Sequence, residues 1–325
     1  MTHSKPSDQS PKLSKKVVLI TGSSGLLGAT LLMELRDRYG LVGTYLTHPI
    51  SLSGTTNYML DLREKAALFE LLERVRPEVI IHTAAAVNVD ECETNRELAY
   101  QLNVSVPDSL SEYCGANRSL FVHLSTDAFF SEKNVLHDEE SAVTPLNYYA
   151  ETKLLAEDII RKKCSNHLII RTNFFGWNYQ IKSSLAEWIY FLLRDGKTVP
   201  AVEDVWFTPI LTNTLSSTLH EMIEHGLRGT YHVASDRSIS KYEFAQQICA
   251  AFDFDYSLII PTKVESLKLK AKRSSNMALS NRKLRRDLPG WQCHIEDEIF
   301  KFKELEINGY IPVSYTHLRA HETVL

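Results

Sequence analysis

Val17-Val18-Leu19-Ile20-Thr21-Gly22-Ser23-Ser24-Gly25-Leu26-Leu27-Gly28 carries four apolar, mostly β-branched residues straight into three glycines spaced three apart. An apolar pattern at helical spacing follows at Leu26, Leu27, Thr30, Leu31 and Leu35. Strand, tight turn and helix in that order are what a dinucleotide-binding turn requires. Gly22 supplies the backbone freedom of the turn, Gly25 lets main chain approach a pyrophosphate, and Gly28 lets the helix lie against the strand. The helix start then offers unpaired N–H groups and a positive dipole end to phosphate.

Outward from this stretch, apolar strands alternate with helical patterns. Leu41 to Leu46, Asn57 to Leu62, Pro77 to His82, Leu120 to Asp127 and His167 to Thr172 read as strands. Ala66 to Val75, Leu98 to Tyr113 and a segment opening near Pro145 read as helices. The alternation predicts an α/β fold built on a doubly wound parallel sheet over residues 16–172, with later segments able to return to it. Residues 173–312 are less regular. Within them Ser184 to Leu193 and Tyr242 to Phe252 read as helices and Thr230 to Ala234 as a strand, and a smaller substrate-binding lobe is expected there. Residues 1–15 are polar and are expected to form a disordered tail.

The composition narrows the function. The chain has 325 residues and a formal net charge of -4, which gives no electrostatic case for nucleic-acid binding. No apolar run is long enough to cross a bilayer, and the N-terminus lacks the apolar core of a signal peptide, so a cytoplasmic protein is expected. Cys92, Cys114, Cys164, Cys249 and Cys293 are scattered singly and form no metal-ligand pattern, so no metal site is expected and reduced thiols are.

Several strand ends carry candidate site residues. The second strand ends in Leu46-Thr47-His48, where an acid would grip the 2′-hydroxyl of NAD. Its absence admits the 2′-phosphate of NADP; His48 is a candidate contact, and equally a surface histidine. Asp61 either meets the adenine or caps the helix that follows. Ala84, Ala85 and Ala86 are small enough for a flat ligand to lie beside them, or for tight packing on a helix. Ser125-Thr126-Asp127 ends a buried strand in polar groups. Tyr149 and Lys153 stand four apart, one helical turn, so their head groups are expected to converge. A nearby ammonium is then expected to draw the phenol down towards neutral pH. Lys263 to Arg286 is strongly basic, either a solvated face or a site for an anionic ligand.

Together these motifs resemble the extended short-chain dehydrogenase/reductase superfamily, and within it the dTDP-4-dehydrorhamnose reductase family. The likeness rests on Gly22 to Gly28, Asp61-Leu62, Ala84 to Ala86 with Val89-Asp90, Ser125-Thr126-Asp127, Pro145 to Lys153 and Arg171-Thr172. It implies a Rossmann fold and a reductase of a nucleotide-linked 4-keto-6-deoxy sugar using NADP, with NAD admitted. It implies Tyr149 as acid, Lys153 as its partner and Thr126 beside them. Gly22, Ser24, Gly25, Leu26, Leu27 and Gly28 would line the pyrophosphate, Asp61 and Leu62 the adenine, and Thr126, Asp127, Phe174 and Arg273 the substrate. A homodimer is left open.

Three places depart from the family pattern: Ala128-Phe129-Phe130, Asn173-Phe174 and Arg273-Ser274-Ser275-Asn276-Met277. All fall on the expected substrate side. A second reading is therefore kept: a cofactor-binding regulatory subunit similar to the β subunit of methionine adenosyltransferase. An epimerase or dehydratase ranks lower, since Ala128 and Phe129 offer no extra acid/base pair. At the C-terminus, Val313 to Thr323 resembles translated sequencing-adapter read-through, so residues 313–325 are set aside as a non-native tail.

Overall fold

The computed structural model describes residues 15–132, 135–179 and 183–307. The tail readings for residues 1–14 and 313–325 lie outside them.

The chain opens with β1 (Val17–Thr21), α1 (Leu26–Leu35), β2 (Gly40–Tyr45), β3 (Thr55–Met59), α2 (Lys65–Val75) and β4 (Val79–His82). Two short helices, α3 (Val89–Thr94) and α4 (Arg96–Tyr100), lead through a π-helical turn at Gln101–Ser105 into α5 (Val106–Asn117). β5 (Leu120–Leu124), α6 (Tyr148–Lys163) and β6 (His167–Arg171) follow. Beyond them come β7 (Phe174–Phe175), α7 (Leu185–Arg194), β8 (Val199–Val202), β9 (Trp206–Phe207), β10 (Ile210–Leu211), α8 (Thr212–Glu224) and β11 (Gly229–His232). The described chain ends with β12 (Ile239–Ser240), α9 (Lys241–Ala251), β13 (Ile259–Thr262), α10 (Arg282–Asp287) and α11 (Ile295–Ile307).

Seven strands form one parallel sheet in the order β11-β6-β5-β4-β1-β2-β3. Successive strand residues face opposite sides, so a sheet covered on both faces needs continuous apolar strands. Val18, Ile20, Ile81, Val122 and Ile170 join one core with Leu27, Leu31 and Leu35 of α1 and Leu215, Leu219 and Met222 of α8. Leu19, Ile80, Phe121 and Ile169 face the other way, into a core with Leu68 and Leu72 of α2, Leu110 of α5 and Ile160 of α6. β11 thus extends the sheet that begins at β1, and α8 covers it beside α1.

A separate core gathers α7, α9 and α11 around Phe175, Trp177, Phe207, Phe244 and Phe302. Three two-stranded sheets, β7 with β10, β9 with β12 and β8 with β13, frame it. Among the described residues, no helix is long and apolar enough to cross a membrane.

Candidate active site

The C-terminal ends of β1, β4 and β5 open onto one crevice, where ligands of open parallel sheets bind. Gly22 turns there with φ +68, and a Cβ on it would meet the Ala84 Cα at 2.9 Å. The turn after β4 therefore lies directly on the glycine turn, fixed by Thr83 Oγ1 donating to the Thr21 carbonyl at 2.7 Å. A Cβ on Gly28 would stand 2.2 Å from the Gly22 carbonyl oxygen, so α1 seats closely on the turn. Gly25 is the N-cap of α1, no side chain caps it, and the first turn carries no acid. Its free N–H groups and dipole fit an anion such as a pyrophosphate. Ser24, Leu26 and Leu27 belong to this same turn.

The adenosine-side residues lie further out. His48 is exposed, 2.8 Å from Thr47 Oγ1 through its Nδ1. Asp61 does not cap α2, whose N-cap is Glu64. Its carboxylate instead accepts the Arg63 fork at 2.9 and 2.5 Å, and that pairing holds it below the usual carboxylate range. The local ion pair wins because Arg63 also presents its backbone N–H to Asp61 Oδ1 at 3.0 Å. Leu62 is buried in the core beneath.

Across the crevice, α6 begins where the Asn147 side chain accepts from the Ala150 N–H at 2.9 Å. That start puts Tyr149 and Lys153 on the helix face turned towards β5. The Thr126 side chain acts on the Tyr149 phenol, and Thr126 Oγ1 donates to Asp127 Oδ1 at 3.4 Å. Asp127 is buried, which pushes its carboxyl up to about 6, although Asn173 Nδ2 donates to it at 2.8 Å.

The lysine does not meet the phenol as the spacing suggested. Lys153 is buried, and its Nζ donates to the Leu124 carbonyl at 2.6 Å and lies 3.3 Å from His123 Nε2. Burial draws this ammonium down to about 8, against the attraction of Glu157. The phenol also departs from expectation. Burial lifts Tyr149 to about 12, the Thr126 side chain only partly offsets this, and the Asp127 charge adds to the rise. Lys153 does not enter this shift: two of its donors are held by Leu124 and His123.

Arg273 and Phe174 sit apart from this group. Arg273 is clasped by Asp90 at 3.0 Å and donates to the Ala271 carbonyl at 2.9 Å. Its loop walls a cavity of about 930 Å³ with Trp206, Lys268, Lys272 and Asn276. Part of the basic run thus faces a cavity, while Lys263 and Arg286 are spent on ion pairs with Glu203 and Asp287. Phe174 belongs to β7 and packs against the main core beside the sheet.

Two residues were not picked out from the sequence. Asn103, on the π-helical turn, accepts the Ala86 N–H at 2.8 Å and donates to the Ala86 carbonyl at 3.1 Å and to Thr152 Oγ1 at 3.2 Å. It ties the turn after β4 to α6, and such turns recur at functional sites. Lys241, first residue of α9, is drawn down by burial and by Arg273, and steadied by Asp127. Its charge is felt on both the Tyr149 side and the cavity side. A lone lysine at a helix start carries no signal of this in sequence.

The chain as a whole is similar to known proteins. The chain is 28% identical over 285 residues to a probable low-salt glycan biosynthesis reductase, Agl14, of Haloferax volcanii, covering 86% of this chain and 95% of that protein. It is 28% identical over 273 residues to methionine adenosyltransferase 2 subunit beta of Danio rerio, covering 81% and 82%. A dTDP-4-dehydrorhamnose reductase from Bacillus anthracis, solved in complex with NADP, superposes with a TM-score of 0.80 at 24% identity, over 89% of this chain and 99% of that one. The family model described as RmlD substrate binding domain matches residues 15–303, and the chain belongs to that family, within the extended short-chain dehydrogenase/reductases.

Proposed function

We propose that this protein is an NADPH-dependent reductase of a nucleotide-linked 4-keto-6-deoxy sugar, with NADH as a second donor. The observation that carries the reading is the close-seated glycine turn, fitted to a dinucleotide, facing Tyr149 on the first turn of α6 and Thr126-Asp127 at the end of β5. The Haloferax reductase and the NADP-bound Bacillus enzyme support it.

Gly22, Ser24, Gly25, Leu26, Leu27 and Gly28 would hold the pyrophosphate, Asp61 and Leu62 the adenine end, His48 the ribose phosphate, and Ala84 to Ala86 the wall beside the ring. A bound reduced nicotinamide supplies hydride to a carbonyl carbon. Tyr149 gives its phenolic proton to the carbonyl oxygen, and Thr126 orients that oxygen. Lys153 keeps one N–H free after serving Leu124 and His123, because an ammonium has three donors. That charge stabilises the phenolate left behind. Trp206, Lys268, Lys272 and Arg273 suit a base and a diphosphate, since a guanidinium pairs with phosphate oxygens two at a time. Asp127 and Lys241 flank the sugar between them.

The test is NADPH absorbance decay with dTDP-4-keto-6-deoxy-glucose, run beside Tyr149→Phe. The variant is expected to bind NADPH as before and to lose turnover by about 10²–10⁴-fold, the usual worth of a general acid. A variant as active as the parent rejects the mechanism.

The second reading is a cofactor-binding regulatory subunit. It is favoured by the similarity to the methionine adenosyltransferase subunit and by Arg273 already being paired with Asp90. NADPH binding with no turnover on any nucleotide sugar, and a partner retained on purification, would select it.

A further inference from the structure

Two histidines lie under the crevice and have no part in the chemistry above. His82 closes β4 and His123 lies opposite it in β5, as register partners. Both are buried, and their rings stack at 5.5 Å between centroids with 23° between planes. His123 Nε2 lies 3.3 Å from Lys153 Nζ. His82 Nδ1 lies 2.6 Å from Thr21 Oγ1, on the last residue before the glycine turn.

We propose that His123, backed by His82, is a positioning residue for Lys153: a neutral acceptor that aims the ammonium at the crevice without neutralising it. The proposal rests on the reductase reading.

Burial and the cation beside it favour the uncharged His123 ring, and the carboxylate nearby is already spent on other partners. From α6 come Lys153 and, one turn on, Glu157, which is held by Arg171, Arg161 and Ser125. From β4 comes His82, from β1 Thr21 behind it, and within β5 the Phe121 ring. Burial, the Lys153 charge and His82 together hold His123 well below its ordinary value. Burial and Lys153 bring His82 to about 3. An imidazole that accepts at Nε2 carries its proton on Nδ1. The Lys153 ammonium donates to Leu124 and to His123, and of its three donors one remains beyond these two.

The choice of acceptor matters. A carboxylate below Lys153 would fix it equally well but would also spend its charge as a salt bridge. A neutral imidazole fixes the direction and leaves the charge for the phenolate that forms at Tyr149. The stacked His82 ring, tied to Thr21, keeps the His123 ring from turning, so the glycine turn and the lysine are set by one buried stack.

The experiment uses the full chain with His123→Phe and His123→Gln. His123→Phe keeps the ring volume and removes the acceptor. It is expected to leave NADPH affinity unchanged, to lower kcat by about 10²-fold as misplacement of a catalytic group does, and to displace the pH profile of kcat. His123→Gln, whose amide oxygen accepts, is expected to return most of the rate and the parental profile. An unchanged rate and profile in His123→Phe overturns the proposal. If that variant fails to fold, His123→Gln decides, and a folded Gln variant as slow as a lysine knockout overturns it. Nitrogen-15 NMR of the parent protein is expected to show His123 neutral and protonated on Nδ1 over roughly pH 6 to 9. A proton on Nε2 overturns the proposal. Should the parent turn over no sugar, the reductase reading fails, and the tautomer still decides this inference.

Discussion

At Asp127 two pressures meet in one carboxyl group. Burial raises it to about 6 from its ordinary value of 3.8, and its charge helps to keep the Tyr149 phenol protonated. Between those values the folded chain binds a proton that the unfolded chain has released, so this residue's contribution makes stability fall as pH rises across that window. Asp127→Asn is expected to flatten that slope in chemical denaturation measured at several pH values. The same substitution removes a negative charge near the phenol, so the alkaline limb of kcat against pH should move to lower pH. An unmoved limb would mean that Asp127 does not act on Tyr149. Reasoning from residue spacing placed Tyr149 and Lys153 on one helix face, and the structure has them there. Spacing could not supply the depth of the site. The phenol rises because of burial, and the ammonium turns to Leu124 because the β5 carbonyl lies within its reach.

The elements that frame the crevice were legible where chemistry is local. β1, the glycine turn and α1 are written in contiguous residues, and so are the strands whose two faces meet two cores. α6 begins at Tyr148, three residues past Pro145, with Asn147 as its cap. Leu98 to Tyr113 reads as one helix but forms α4, a π-helical turn and α5, because Asn103 turns inward to bond Ala86. α8 and α11 were not picked out, although Leu215, Leu219 and Ile223, and Ile295, Ile299 and Phe302, recur at helical spacing. Among the glycines, the tightest constraint set by backbone is at Gly28. Gly28→Ala would place its methyl 2.2 Å from the Gly22 carbonyl oxygen. The expected result is a loss of about 1–3 kcal/mol, as for other overpacked sites, with weakened NADPH binding in a fluorescence titration. Thermal melting that matches the parent, with full NADPH affinity, would refute the close seating of α1.

For the molecule as a whole, Glu157 joins three parts of the architecture. It is fully buried and accepts from Ser125 Oγ at 2.6 Å, Arg171 Nη2 at 2.8 Å and Arg161 Nη2 at 2.5 Å. It therefore ties α6 to the ends of β5 and β6. Glu157→Gln leaves Arg171 buried beside a neutral amide, and the expected cost is about 3–5 kcal/mol in urea unfolding. A loss near zero would mean that the arginine finds another partner. No stretch of sequence announces this network, since its members come from three separate segments: the end of β5, α6 and β6.

The Asp90–Arg273 pair has a consequence of the same reach. Asp90 also receives the Ala271 N–H at 2.9 Å, so one carboxylate latches the whole cavity rim to the segment that follows β4. An incoming anion must outcompete that latch. A singly charged group only matches it, whereas a doubly charged one surpasses it, so the rim discriminates between anions by valence.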